Sequence, residues 1–179
     1  MLNTNTISRG ILLLLVLSFS IGSTYAQSKE DRNGNLVGFL KKEDFLQGKF
    51  KSWFEEEFNR YQPKEKIVKK IQKELDGIDI KAFFGTWCHD SHRELPRFFK
   101  TMELAGFDFQ YHFEMVGLTR GKKTPDNLQK GFNIKHTPTF IVYKDGKEIG
   151  RYIEQPRQSI EKDFLKILKG KPYKHSYQK

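Results

Sequence analysis

Apolar residues recur along this chain in two periods, and the switches between them outline its elements. Between residues 43 and 61, Phe45, Leu46, Phe50, Trp53, Phe54, Phe58 and Tyr61 fall at near-helical steps, which predicts a helix with one apolar side packed on a core. Pro63 suits a helix start, and Ile67, Val68, Ile71 and Leu75 continue the spacing until Asp76-Gly77 stops it. Ile78 to Trp87 (IDIKAFFGTW) then reads as a buried strand. A helix is expected from Ser91 to Leu104, with Leu95, Phe98, Phe99 and Met102 facing inward and Pro96 as an internal kink. From Phe107 to Leu118 the period becomes two, through Phe107, Phe109, Tyr111, Phe113 and Met115, which predicts a strand. Thr124-Pro125-Asp126 opens a short helix through Lys130. Thr139 to Tyr143 and Glu148 to Ile153 read as a strand pair joined at Lys144-Asp145-Gly146-Lys147. A last helix, Pro156 to Leu168, carries Ile160, Phe164, Leu165 and Leu168. Gln27 to Gly38 is polar, contains Asn33-Gly34-Asn35, and reads as a leader or turn.

Strand, helix, strand in succession implies a crossover and a parallel pair, and the hairpin adds antiparallel strands. The expected fold is therefore α/β, a central mixed sheet with helices on both faces, preceded by an N-terminal helical extension. The divisions are a leader peptide over 1–26, a polar segment over 27–42, the extension over 43–62, the main domain over 63–170 and a basic tail over 171–179.

Composition narrows the classes. With 37% hydrophobic residues and 16 Phe, the 179-residue chain has material for a real core, which rules out global disorder. Near the start, Ile11 to Leu17 is an unbroken apolar run, and Thr24 and Ala26 give the small-x-small pattern of a peptidase site before Gln27. This reads as a secretory signal peptide, the apolar run being shorter than the roughly 20 residues of a membrane span. The expectation is an exported protein, periplasmic or extracellular, with no stable membrane anchor after cleavage. The net charge of +10 then calls for no nucleic-acid partner; scattered lysines, denser at Lys169, Lys171, Lys174 and Lys179, read as a solvated surface. One cysteine excludes an internal disulfide, a Cys-x-x-Cys pair and a four-cysteine zinc site.

That cysteine, Cys88, follows the strand directly and opens a helix, in Phe84-Gly85-Thr86-Trp87-Cys88-His89-Asp90-Ser91. Free N–H groups and the helix dipole favour thiolate at such a position. With Trp87-Cys88 after a hydrophobic strand, Pro96 in the next helix, Thr137-Pro138-Thr139-Phe140 before the hairpin and a closing amphipathic helix, the chain resembles the thioredoxin superfamily over roughly residues 64–169. The resemblance implies that Cys88 is the attacking cysteine, that Ser91 stands where the resolving cysteine would be, and that Pro138 is a cis-proline lying against the sulfur. It also implies that Trp87 is the aromatic before the nucleophile, and that the Thr137 backbone pairs with an extended substrate as an added strand.

The departures matter as much. The motif is Cys-His-Asp-Ser, and the family's buried acid falls on Ala82. One thiol can attack a disulfide and form a mixed disulfide, but release then needs a thiol from the substrate or from outside. The expected activity is thus thiol–disulfide oxidoreductase or isomerase chemistry without a cofactor. The expected partners are proteins carrying disulfides or thiols, and an external thiol or redox protein. Ser91 has two candidate roles, a hydrogen bond to the sulfur and a helix cap. His92 lies four residues beyond Cys88, and His136 lies two before Pro138. Cationic His89, His92 or His136 would favour thiolate, and Asp90 would oppose it. His136 is also a candidate for contacting substrate. Three rivals share these residues: a redox-inactive binding module on the same fold, a zinc or copper protein using Cys88 with His89, His92 or His136, and a cysteine protease lacking an evident third partner.

Overall fold

The computed structural model describes residues 29–178, so the signal-peptide expectation lies outside the described residues. Six strands form one sheet: β1 (Lys29–Glu30), β2 (Leu36–Phe39), β3 (Ile78–Phe84), β4 (Phe113–Gly117), β5 (Thr139–Lys144) and β6 (Lys147–Ile153). Their spatial order is β1-β2-β4-β3-β5-β6. β3 and β4 run parallel, with Ala82 opposite Met115. β5 is antiparallel to β3 and to β6, so the sheet is mixed. The helices are α1 (Lys51–Arg60), α2 (Glu65–Gln72), α3 (His89–Leu104), α4 (Phe109–His112) and α5 (Ile160–Leu168).

Alternation along the strands sorts the apolar residues onto two faces. Ile78, Ile80, Ala82 and Phe84 of β3, Met115 of β4, and Phe140 and Val142 of β5 join one large core with Phe54, Val68, Ile71, Leu95, Phe98, Phe99, Met102, Ile160 and Phe164. Phe83, Val116, Leu118 and Ile141 form a second, small core with half-buried Phe39, Leu128, Phe132, Ile134 and Tyr143. Every helix of the described residues packs on the large core, α4 through half-buried Phe109. The expectation of helices on both faces is therefore corrected: residues 119–137 cover the second face without a helix.

That correction has a local cause. The helix expected over Thr124 to Lys130 is a run of turns, in which the Thr124 hydroxyl accepts the Leu128 N–H and Asn127 takes a left-handed φ of 54°. Three other expectations shift as well. The strand expected from Phe107 starts only at Phe113, because the Asp108 carboxylate caps α4 through the N–H groups of Gln110 and Tyr111. Tyr111 is exposed, so the alternating aromatics were not one sheet face. The stretch 43–61 divides into two 3-10 turns and α1, with Gly48 between the early apolar residues at φ +55°. The polar leader holds β1 and β2, which turn at Asp31–Asn35, where one carboxylate oxygen accepts the N–H groups of Asn33 and Asn35.

Candidate functional site

The site grows from the end of β3. Beyond Phe84 the chain turns through Gly85, Thr86 and Trp87, and Cys88 is the N-cap residue of α3, extended at φ −96° and ψ 122°. A side chain at Gly85 does not fit, since a Cβ there would lie 2.4 Å from the Trp87 indole. The Trp87 ring donates its N–H to the Leu118 carbonyl at 2.8 Å, which ties the turn to the end of β4, and the Arg120 guanidinium sits 5.6 Å from the ring centre.

Across from this turn, the Thr137–Pro138 peptide bond is cis. The half-buried Cys88 thiol donates to the buried Thr137 carbonyl at 3.1 Å. The Pro138 carbonyl in turn accepts the Glu154 N–H at 2.8 Å, just past β6. Four residues singled out in the sequence, Trp87, Cys88, Thr137 and Pro138, thus meet at one end of the sheet. Ser91 lies fully buried one turn into α3, where its hydroxyl accepts the Gly85 N–H at 3.3 Å.

The histidines face other partners. The His92 ring stacks on Trp53 of α1, 4.2 Å between centres and 12° between planes. Its Nε2 lies 2.6 Å from the Thr86 carbonyl. A carbonyl only accepts, so this nitrogen carries the proton. Burial lowers the His92 pKa below its usual 6.5; the Thr86 carbonyl opposes this and the neighbouring His89 adds to it. The His136 ring stacks on Tyr177 at 3.7 Å, with Nδ1 3.4 Å from the Glu154 carboxylate. His89 is exposed, and Asp90 is paired with Arg93 at 2.7 Å. Among the described residues, no group of three or more His, Cys, Asp or Glu could hold a metal ion.

Residues that the sequence did not single out prop the site. The Thr86 hydroxyl accepts the Leu36 N–H at 3.1 Å, so β2 braces the turn before Cys88. Trp53 braces the same turn through His92. A buried acid is present, carried by α3: Glu94 is fully buried, accepts the Tyr152 hydroxyl at 2.7 Å, and pairs with Arg93 at 2.6 Å and Arg97 at 3.5 Å. Burial raises the Glu94 pKa against the pull of the tyrosine and both arginines. Tyr152 lies in register with Phe140, and Phe140 with Ala82, so the tyrosine that bonds this acid shares the cross-strand row of the alanine. Of these supports only Trp53 and Tyr152 fall in predicted apolar elements, which speaks for core packing alone; Leu36 and Glu94 carry no such signal.

These features define a mixed α/β protein with one cysteine at a strand–helix junction, bonded to the carbonyl before a cis-proline. No known protein-family pattern matches the chain. Thioredoxin H9 of Arabidopsis thaliana is 25% identical over 105 residues, which span 58% of this chain and 70% of that protein. That match supports a thioredoxin-like relationship, and the six-stranded mixed sheet with its helices is compatible with a thioredoxin-like fold. Among solved structures, a protein of unknown function from Pseudomonas aeruginosa is similar with a TM-score of 0.49 at 15% identity, over 65% of this chain and 80% of that one. An HIV epitope scaffold gives 0.48 at 15% identity, over 67% and 82%.

Proposed function

We propose that this is an exported, monothiol thioredoxin-like protein that forms mixed disulfides with substrate proteins through Cys88. The observation that carries the reading is the Cys88 sulfur itself, half-buried at the first turn of α3 and 3.1 Å from the Thr137 carbonyl. The distant relationship to a thioredoxin suggests redox or thioredoxin-fold function and supports the same assignment.

In the proposed reaction the Cys88 thiol first loses its proton to solvent. The thiolate attacks one sulfur of a substrate disulfide, a new Cys88–substrate S–S bond forms, and the other substrate sulfur leaves as thiolate and is reprotonated. A second thiolate then attacks the mixed disulfide and restores Cys88. If it belongs to the substrate, the disulfide is isomerised; if it comes from a small thiol or a redox protein, the substrate leaves joined to that thiol by a disulfide, and a second such thiol then releases it, so that the substrate ends with two thiols and the two external thiols end as one disulfide. Thr137 and Pro138 form the wall against which an extended substrate strand lies, with Trp87 and His136 at its sides. Ser91 secures the turn through Gly85, His92 holds the Thr86 carbonyl beside it, and His89 and Asp90 flank the junction.

The test is to incubate the chain from Gln27 onward with a disulfide-bonded peptide and determine its intact mass. A peptide adduct on Cys88, absent in Cys88→Ser and released by added glutathione, is expected. No adduct in the wild-type protein, with peptide or client proteins held equally well by Cys88→Ser, would instead establish a non-covalent binding module.

A further inference from the structure

Beyond α5 the described chain folds back toward Cys88. The Tyr173 hydroxyl bonds Asp163, and the Ser176 hydroxyl donates to the Ile153 carbonyl at 2.8 Å, which lays the segment along the end of β6. Tyr177 then stacks flat on His136, the residue before Thr137, and its hydroxyl donates to Glu154. Glu154 is the residue whose N–H holds the Pro138 carbonyl, and it keeps a left-handed φ of 56° while doing so. The path from sulfur to tail is therefore continuous: Cys88 to Thr137, Pro138 to Glu154, and Glu154 with His136 to Tyr177. The Tyr177 pKa is pushed up to about 12, first by its bond to Glu154, then by burial and by the charges of Glu154, Asp90 and Cys88. The phenol thus stands within electrostatic reach of the sulfur and of Asp90. Half of Tyr177 remains exposed, so one side of the ring is open to an arriving molecule.

We propose that Tyr177 is a specificity-determining residue of the Cys88 site, an aromatic wall latched to His136 and Glu154 that admits slender or extended partners to the sulfur and turns bulky ones away. The proposal rests on the reading of Cys88 as the exchanging thiol. The wall acts on the approach of a partner and leaves the chemistry at sulfur unchanged. An extended strand carrying a disulfide passes along Thr137 beneath the ring, whereas a disulfide flush with a globular surface collides with it.

The test compares two reagents with the same reactive group, methyl methanethiosulfonate and a dansyl-bearing methanethiosulfonate, on the chain from Gln27 onward. Tyr177→Ala, and a chain ending at Tyr173 that keeps the bond to Asp163, are expected to react about fivefold faster with the bulky reagent and at an unchanged rate with the small one. Tyr177→Phe keeps the stack on His136 and is expected to retain the wild-type ratio. A bulky-to-small ratio that is equal in wild type and Tyr177→Ala overturns the proposal while leaving the thiol chemistry intact. So does an equal acceleration of both reagents, which reports general loosening. A Cys88 inert to both reagents overturns the proposal together with the exchange reading beneath it.

Discussion

On one face of the sheet Phe84 and Phe140 lie fully buried beneath helices that bring in Phe98 and Phe164; on the other, Phe83, Val116, Leu118 and Ile141 lie beneath chain that has no helix between 119 and 137. The first face is continuous aromatic packing, with Phe98 at 4.5 Å from Phe140 and 5.1 Å from Phe164. The second depends on a few contacts, such as Phe83 against Phe132 at 4.9 Å. Cys88 sits where the two meet. Its helix, α3, belongs to the thick face, while the carbonyls that Cys88 and Trp87 bond lie at Thr137, the end of the thin covering, and at Leu118, the residue just before it starts. One wall of the site is anchored in the main core. The other hangs on a segment with little buried apolar area, the kind that opens locally at lower free-energy cost.

The contrast is best broken at its centre. Phe98→Ala should cost about 3–5 kcal/mol, read by urea unfolding, because it leaves a cavity among rings that have no room to collapse. Gly85→Ala should cost about 1–3 kcal/mol by the same measurement, since the new methyl meets the Trp87 ring and must displace it or the turn. Phe132→Ala, on the thin face and half-buried, should cost only about 1–2 kcal/mol. A loss equal to that of Phe98→Ala would show that the second face carries as much of the fold as the first.

The smallest effect is a pH dependence. His92 resists protonation in the folded state, so below about pH 6.5 the unfolded chain takes up more protons and stability falls. Thermal unfolding of wild type should therefore drop more between about pH 7 and 5 than that of His92→Gln, which removes the titration. Identical drops would mean that burial does not hold the protonation of this ring down.

Where the sequence carried its own local signal, the expectation and the structure agree closely. A hydrophobic strand from Ile78, which stops at Phe84 and reaches the cysteine through a turn, a helix with Leu95, Phe98, Phe99 and Met102 on one side, and the hairpin after Thr139 all follow from short-range pattern. The rest depended on partners distant in sequence. Leu36 and Val37 are too few apolar residues to announce a strand, and β2 gains its place by pairing with β4 and by the Leu36 N–H on Thr86. The helix expected at Thr124 lost to side-chain capture of Leu128 by Thr124. The spacing of Cys88 and His92 said that the two could meet. It could not say that an indole from α1 would claim the imidazole first. The tail read as a basic, solvated end, and two tyrosines within it instead hold Asp163 and Glu154.

Both tryptophans of the chain stand one contact from the strand–helix junction, Trp87 over Gly85 and Trp53 against His92. The intrinsic fluorescence of this protein is consequently a spectrum of the thiol site, with no indole elsewhere to dilute it. Emission changes on adding a ligand, a reductant or acid will report that neighbourhood before they report global unfolding.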